Sequence, residues 1–265
     1  MTISPQHDRP LTPKQREIRA RETRILDTAH PMIRRGGLSS ISMNAIAEQI
    51  GVTRGTIYNH FPNKEDILLS LAARAVRRRS RLFQAAIDWA EADPNCGSRD
   101  ACSGIGIAAE VYVDQFNDDF TIEQAIRHDP VWEKTSARRR DVLADCETAC
   151  ITQVGYVIGH AIAARDLEVP TGATAEALTQ QIVFGLWSLV YGGLVIEATS
   201  PSLPQSGITQ PRQTMRHNCA ALLDQVGWQP MHDPVHYQIV IDKLTPHLIA
   251  TSELIRNQST SGEDS

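Results

Sequence analysis

Between residues 42 and 64 the chain gathers hydrogen-bond donors, small side chains and cations: Arg54, Gly55, Thr56, Tyr58, Asn59, His60 and Lys64. A guanidinium can grip the edge of guanine bidentately, a threonine can bond a base or touch a thymine methyl, and a glycine lets the backbone approach closely. If a short helix enters the major groove N-terminus first, Arg54, Gly55 and Thr56 fall at the base edges and set sequence preference.

Two short helices joined by a glycine turn would position this set. Ser42 is a natural N-cap, and Ala45, Ile46, Gln49 and Ile50 follow at spacings of three and four, so the aliphatic members form one inward stripe. Gly51 can take the positive backbone angle that ends a helix, and Val52 tucks the turn under the core. Thr53 then caps a second helix whose Ile57 and Phe61 lie four apart and point inward. Arg54, Thr56, Tyr58, Asn59 and His60 are left for another surface. The layout is that of a helix-turn-helix.

The segment Thr-Arg-Gly-Thr-Ile-Tyr-Asn-His-Phe-Pro-Asn-Lys-Glu-Asp-Ile-Leu, residues 53 to 68, resembles the recognition-helix signature of TetR-family (tetracycline-repressor-like) one-component transcriptional regulators. The match covers roughly residues 14 to 70; the rest of the chain is similar only in length, helicity and layout. The resemblance implies that Tyr58, His60 and Lys64 hold phosphates, while the helix N-termini capped by Ser42 and Thr53 add backbone amides and dipole. Two other readings of these residues stand beside it: His60 as a satisfied surface histidine, and Tyr58 packed on its own domain.

The full chain of 265 residues is long enough for a small head and a larger helical body. Its formal charge is −5, but residues 1 to 81 hold 15 Lys+Arg against 7 Asp+Glu, a net +8, and the remainder 11 against 24, a net −13. A basic head on an acidic body suggests that only the head meets a polyanion; the Arg77, Arg78, Arg79, Arg81 cluster alone could be a solvated face or a phosphate contact, and attached to a helix-turn-helix the basic asymmetry is better explained by phosphate contact. No run of about 18 apolar residues exists and the N-terminus lacks the apolar core of a signal peptide, so the expectation is a cytoplasmic protein without membrane contact. Five cysteines, odd in number and without a C-x-x-C pair, read as reduced thiols.

The expected fold is all-α. A flexible basic arm covers residues 1–13, a three-helix DNA-binding domain 14–63, and a helical ligand-binding and dimerisation domain 64–257, with 64–92 as the connecting helix and 258–265 as a disordered tail. The first helix, from about Pro13 to Arg35, would bury Ile18, Ile25, Leu26, Ala29 and Ile33. Beyond the connecting helix, apolar periodicity predicts helices near 100–117, 120–128, 131–166, 173–199, 210–227 and 234–257.

The segment from Ala175 to Ala198 carries more apolar surface than one small core requires. By the family resemblance its destination is a homodimer interface, a four-helix bundle built from about 173–199 and 210–227 of each subunit; ordinary core burial is the alternative. Two-fold dimers suit palindromic operators, whose half-sites offer major-groove contacts about 34 to 36 Å apart. The resemblance further implies a cavity among the middle helices, where a small-molecule effector shifts the connecting helix and spreads the heads beyond operator spacing, usually ending repression. Tyr112, Phe116, Phe120, Trp132, Tyr156 and Trp187 are candidate contacts for an apolar or aromatic effector, with Gln153 and His160 as polar partners. For any one of these residues plain core is the commoner role of an aromatic at helical spacing.

Cys146 and Cys150 lie four apart on one helical face and could bind metal or sense oxidation, with Glu147 or His128 nearby. Two thiols do not complete a zinc shell, and His160, about 21 Å along the helix from Cys146, cannot join them. No cofactor is implied. Phosphate loops, nucleophile elbows and His-Glu-x-x-His helices are absent, and Glu110, Asp114, Asp118 and Asp119 read as solvated faces, so an enzyme is not expected. An effector-independent architectural or protein-interaction module is a further alternative.

Overall fold

The computed structural model describes residues 12–126 and 129–261, and the fold is all-α, with no strand among the described residues. Among the described residues eleven α-helices follow one another: α1 (Pro13–Gly36), α2 (Met43–Ile50), α3 (Arg54–His60), α4 (Lys64–Ala92), α5 (Ser98–Gln115), α6 (Asn117–Ala125), α7 (Asp129–Lys134), α8 (Ala137–Ala164), α9 (Ala175–Thr199), α10 (Pro211–Gln225) and α11 (Pro234–Ser261). The basic arm expected over residues 1–13 falls mostly on residues 1–11, outside the described residues. At the other end α11 runs on to Ser261, past the expected boundary at 257, and only residues 262–265 of the expected tail lie outside the description.

Local chemistry sets the head. Thr12 opens α1 with a capping box: its hydroxyl accepts from the Gln15 amide, and the Gln15 side chain accepts from the Thr12 amide. α2 starts at Ser42, whose hydroxyl accepts from the Ala45 amide, and stops at Gly51 in the left-handed region, φ 73°. α3 starts at Thr53, whose hydroxyl accepts from the Thr56 amide. Ile25, Ala29, Ile46, Ile57 and Phe61 are completely buried and form the head's core. Ile18 is not part of it; about two turns before the first buried residue, Ile25, it is 39 % exposed.

α4 belongs to both parts. Its N-terminal turns pack under α1, and its remaining length packs against α5, α6, α8 and α11. The helix expected over 131–166 is two helices, broken at Thr135 and Ser136. The N-cap and first turn of α4 occupy the backbone at the break: Asp66 accepts the Ser136 amide at 2.7 Å and Asn63 donates to the Lys134 carbonyl at 3.0 Å. The Thr135 hydroxyl donates back to the Trp132 carbonyl at 2.8 Å, a local bond that competes with helix continuation.

Two expectations about charge are overturned. Arg78 and Arg79 do not face phosphate. Their side chains are 12 % exposed and pair with Asp119 and Glu123 of α6. Nor are all four acidic residues solvated: Glu110 is 3 % and Asp119 2 % exposed, and Asp114 takes a bidentate bond from Arg212. Sequence periodicity could not reveal this, because the neutralising arginines lie tens of residues away. α9 meets the length and apolarity needed to cross a membrane, although no uninterrupted apolar run is present. Its Phe184 is 71 % and Ile196 51 % exposed.

Candidate nucleic-acid interface and interior cavity

Arg54, Gly55 and Tyr58 emerge on the exposed side of α3, opposite buried Ile57, and Thr56 is half-buried beside them. Arg54 donates to the Tyr58 hydroxyl at 2.9 Å and lies 5.1 Å from the ring centroid, so the two side chains hold each other on the surface. A Cβ at Gly55 would meet nothing nearer than the Thr53 hydroxyl at 3.8 Å, so the chain's own packing does not require glycine there. The Thr53 and Thr56 hydroxyls lie 2.9 Å apart. Ser42 and Lys64 are exposed at the starts of α2 and α4.

His60 departs from the expected set. Its ring turns inward, 10 % exposed, with Nδ1 3.8 Å from Glu22 on α1. Arg139 of α8 donates to Glu22 at 2.9 Å and to the His60 carbonyl at 3.3 Å, and its guanidinium sits 4.6 Å from the Phe61 ring centroid. His60 is therefore placed in a clamp joining head to body rather than toward an outer ligand. No local pattern announces this, because Arg139 lies 117 residues from Glu22.

A second junction lies at α6. Asp119 accepts from Arg78 at 2.6 Å and sits 2.8 Å from His30 Nε2 on α1. An ionised carboxylate only accepts, which places a proton on that nitrogen. Burial alone would push the Asp119 carboxyl up, but the hydrogen bond from His30 and the charge of Arg78 hold it below the ordinary range.

Beside Asp119, Phe120 lines a cavity that is partly open to solvent and bounded by α4, α5, α6, α8, α9, α10 and the start of α11. The space open to the centre of a water-sized sphere is about 130 Å³, and the walls are mostly apolar. Of the expected effector contacts, Tyr112, Phe120 and Trp187 line it. The other five do not. Phe116 is buried beneath the Arg78 and Arg256 guanidiniums, and Trp132 is exposed on α7. Gln153 hydrogen-bonds to Ser80 and Gln84 of α4, while exposed Tyr156 donates to Glu91 beside exposed His160. Periodicity locates the helices, but which way a long helix is rotated depends on partners it does not specify.

The residues missed by sequence reasoning are the polar ones. Arg79 enters the cavity wall from α4 committed to Glu123, which also accepts the Tyr112 hydroxyl. Burial opposes the Arg79 charge, and Glu123 outweighs it, so the guanidinium binds its proton more tightly than usual. Across the cavity Arg216 of α10 donates through Nε and Nη2 to Glu110 of α5, at 2.7 and 2.6 Å. His232 and Tyr237 stand next to it.

Three thiols also line the cavity: Cys102, Cys150 and Cys219. Burial pushes Cys102 up to about 12 and Cys219 up to about 11, and raises Cys150. Cys146, half-buried, is raised by burial as well. Thiols held this way are poor nucleophiles and poor metal ligands, which weighs against metal or redox sensing at Cys146 and Cys150.

Residues 25–71 match the model of a family described as bacterial regulatory proteins, tetR family. The HTH-type transcriptional regulator EthR of Mycolicibacterium smegmatis is 36 % identical over 74 residues, covering 28 % of this chain and 34 % of that protein. The HTH-type transcriptional repressor KstR of Rhodococcus jostii is 40 % identical over 58 residues, 22 % of this chain and 27 % of KstR. The matched segments thus span about a third of these relatives or less. The crystal structure of PfmR, a TetR family transcriptional regulator from Thermus thermophilus, superposes with a TM-score of 0.52 at 14 % identity, over 76 % of this chain and 97 % of PfmR. That likeness concerns the fold.

Proposed function

We propose that this chain, whose residues 25–71 match the tetR family model, is a cytoplasmic transcriptional regulator that binds a palindromic operator as a homodimer. The head, residues 14–63, reads the DNA, and the body, 64–257, dimerises and takes a small-molecule effector. One observation carries the reading: α3 is anchored by fully buried Ile57 and Phe61 while Arg54 and Gly55 stand exposed at its opening turn. Arg54, Gly55 and Thr56 face bases; Ser42, Thr53, Tyr58 and Lys64 serve phosphates. KstR, which resembles the head, is a repressor, and promoter occlusion is the mode we assign here.

Dimerisation through α9 and α10 gives the exposed Phe184, Trp187 and Ile196 a partner surface, a second subunit rather than lipid. Support for effector control comes from continuity. Phe120 lines the cavity, the adjacent Asp119 holds His30 of the head, and Arg139 of α8 clamps Glu22. An effector that moves α6 or α8 therefore biases the head's orientation, provided it binds the two arrangements with different affinity.

The reading is tested by titrating labelled duplex DNA with purified protein at several salt concentrations. Affinity should fall steeply with salt, and Lys64→Ala should reduce the log-log slope by about one. Absence of DNA binding by a folded dimer would favour the protein-interaction alternative.

A further inference from the structure

The cavity's two polar ends differ. At the α4–α6 end, Arg79 is committed to Glu123, and the Tyr112 hydroxyl to the same carboxylate. At the α10–α11 end, hydrogen-bonding capacity is left over. Arg216 spends Nε and Nη2 on Glu110, and among the described residues nothing accepts from its Nη1. The Tyr237 hydroxyl and the ring nitrogens of His232 likewise have no hydrogen-bond partner among them, although the two rings meet edge-on with centroids 5.5 Å apart. All three residues face the cavity.

The charge balance at this end restricts what can bind. Glu110, 3 % exposed, already neutralises Arg216. Burial and the nearby Arg99 disfavour the protonated form of His232. With its side chain 27 % exposed, Arg216 keeps some contact with water, but a carboxylate arriving here would find that cation already paired and would lose hydration against mostly apolar walls, which disfavours it. An uncharged oxygen meets no such penalty, and Nη1 can only donate, so the oxygen must accept.

We infer that Arg216, Tyr237 and His232 form a receptor for an uncharged hydrogen-bond acceptor, and that the effector is an apolar molecule ending in a carbonyl or ether oxygen. The inference rests on the reading of this cavity as an effector site. At roughly 10 to 15 Å³ for each water-sized group, the cavity takes on the order of ten heavy atoms. Leu186, Val190 and Leu194 of α9 offer the apolar chain a wall.

Three probes of nearly equal length test this on the full-length protein: 2-nonanone, its alkene analogue 2-methyl-1-nonene, and nonanoate. Binding is followed by tryptophan fluorescence, since Trp187 lines the cavity. Wild type should bind the ketone at least tenfold more tightly than nonanoate. Tyr237→Phe, which removes one oxygen and is checked for an unchanged melting temperature, should weaken the ketone about fivefold and leave the alkene within twofold. If the substitution changes the ketone and alkene affinities by the same factor, the acceptor receptor is refuted while the cavity remains an effector site. Tighter binding of nonanoate refutes the uncharged class. If none of the three binds wild type, the cavity reading falls together with this one.

Discussion

Replacing Asp119 with asparagine removes a charge and leaves the shape of the junction between head and body. Asp119 is 2 % exposed and accepts from Arg78, whose side chain is 12 % exposed, while His30 holds the other carboxylate oxygen from α1. Removing one partner of a buried ion pair costs about 3 to 5 kcal/mol, because the remaining charge stays desolvated. The asparagine oxygen still accepts one hydrogen bond, so the lower end, about 3 kcal/mol, is expected at pH 7. With a urea dependence of about 3 kcal/mol per molar, the unfolding midpoint should fall by about 1 M. The folded carboxyl titrates below its unfolded value of about 3.9, so its contribution is whole above that pH and is lost as the pH falls through the folded value. The gap between wild type and variant should therefore begin to narrow in urea titrations carried below about pH 4 and close as the pH passes below the folded value. A midpoint shift under about 0.3 M at pH 7, or a difference that persists unchanged in acid, would refute the reasoning.

Arg54→Ala should cost about 1 to 3 kcal/mol on a preferred duplex and relax preference at one base position, whereas Lys64→Ala should weaken all sequences alike; competition assays with single-base variants separate the two. Phe184→Glu puts a charge on the most exposed aromatic of α9 and should raise the dimer dissociation constant about a hundredfold or more in sedimentation equilibrium, with secondary structure unchanged. Phe61→Ala empties a completely buried site between α3 and Arg139 and should cost about 3 to 5 kcal/mol of stability, lowering DNA affinity through the fold. Cys102 and Cys219 should resist thiol reagents at pH 8 in the native protein and react at once in denaturant, since their raised values leave little thiolate.

The head was readable because its determinants are local. Ser42 and Thr53 cap, Gly51 turns, and Ile57 and Phe61 recur at helical spacing, all within about twenty residues. The body was readable only as a series of helices. Its electrostatic joints pair residues far apart in sequence, Arg216 with Glu110 across 106 positions and Arg139 with Glu22 across 117, and no periodicity records such pairings. For the same reason the sequence pattern of a solvated face at Glu110 and Asp119 hides two buried ion-pair partners, and the pattern of an outer surface at His60 hides a clamp. The break at Thr135–Ser136 has no local signature, because the groups that hold it are Asn63, the N-cap of α4, and Asp66 in its first turn. Five of eight proposed effector contacts fell outside the cavity because aromatic content marks a helix without fixing its rotation about its axis.

The most direct measurement is selection of bound sequences from a random duplex library by the purified full-length protein at fixed, moderate salt, because phosphate attraction alone can mimic affinity. Enrichment of an inverted repeat with half-site centres about one or more helical turns apart, lost in Arg54→Ala, is the expected result. A folded, dimeric protein that enriches no sequence would contradict the assignment of α3 as a reader of DNA.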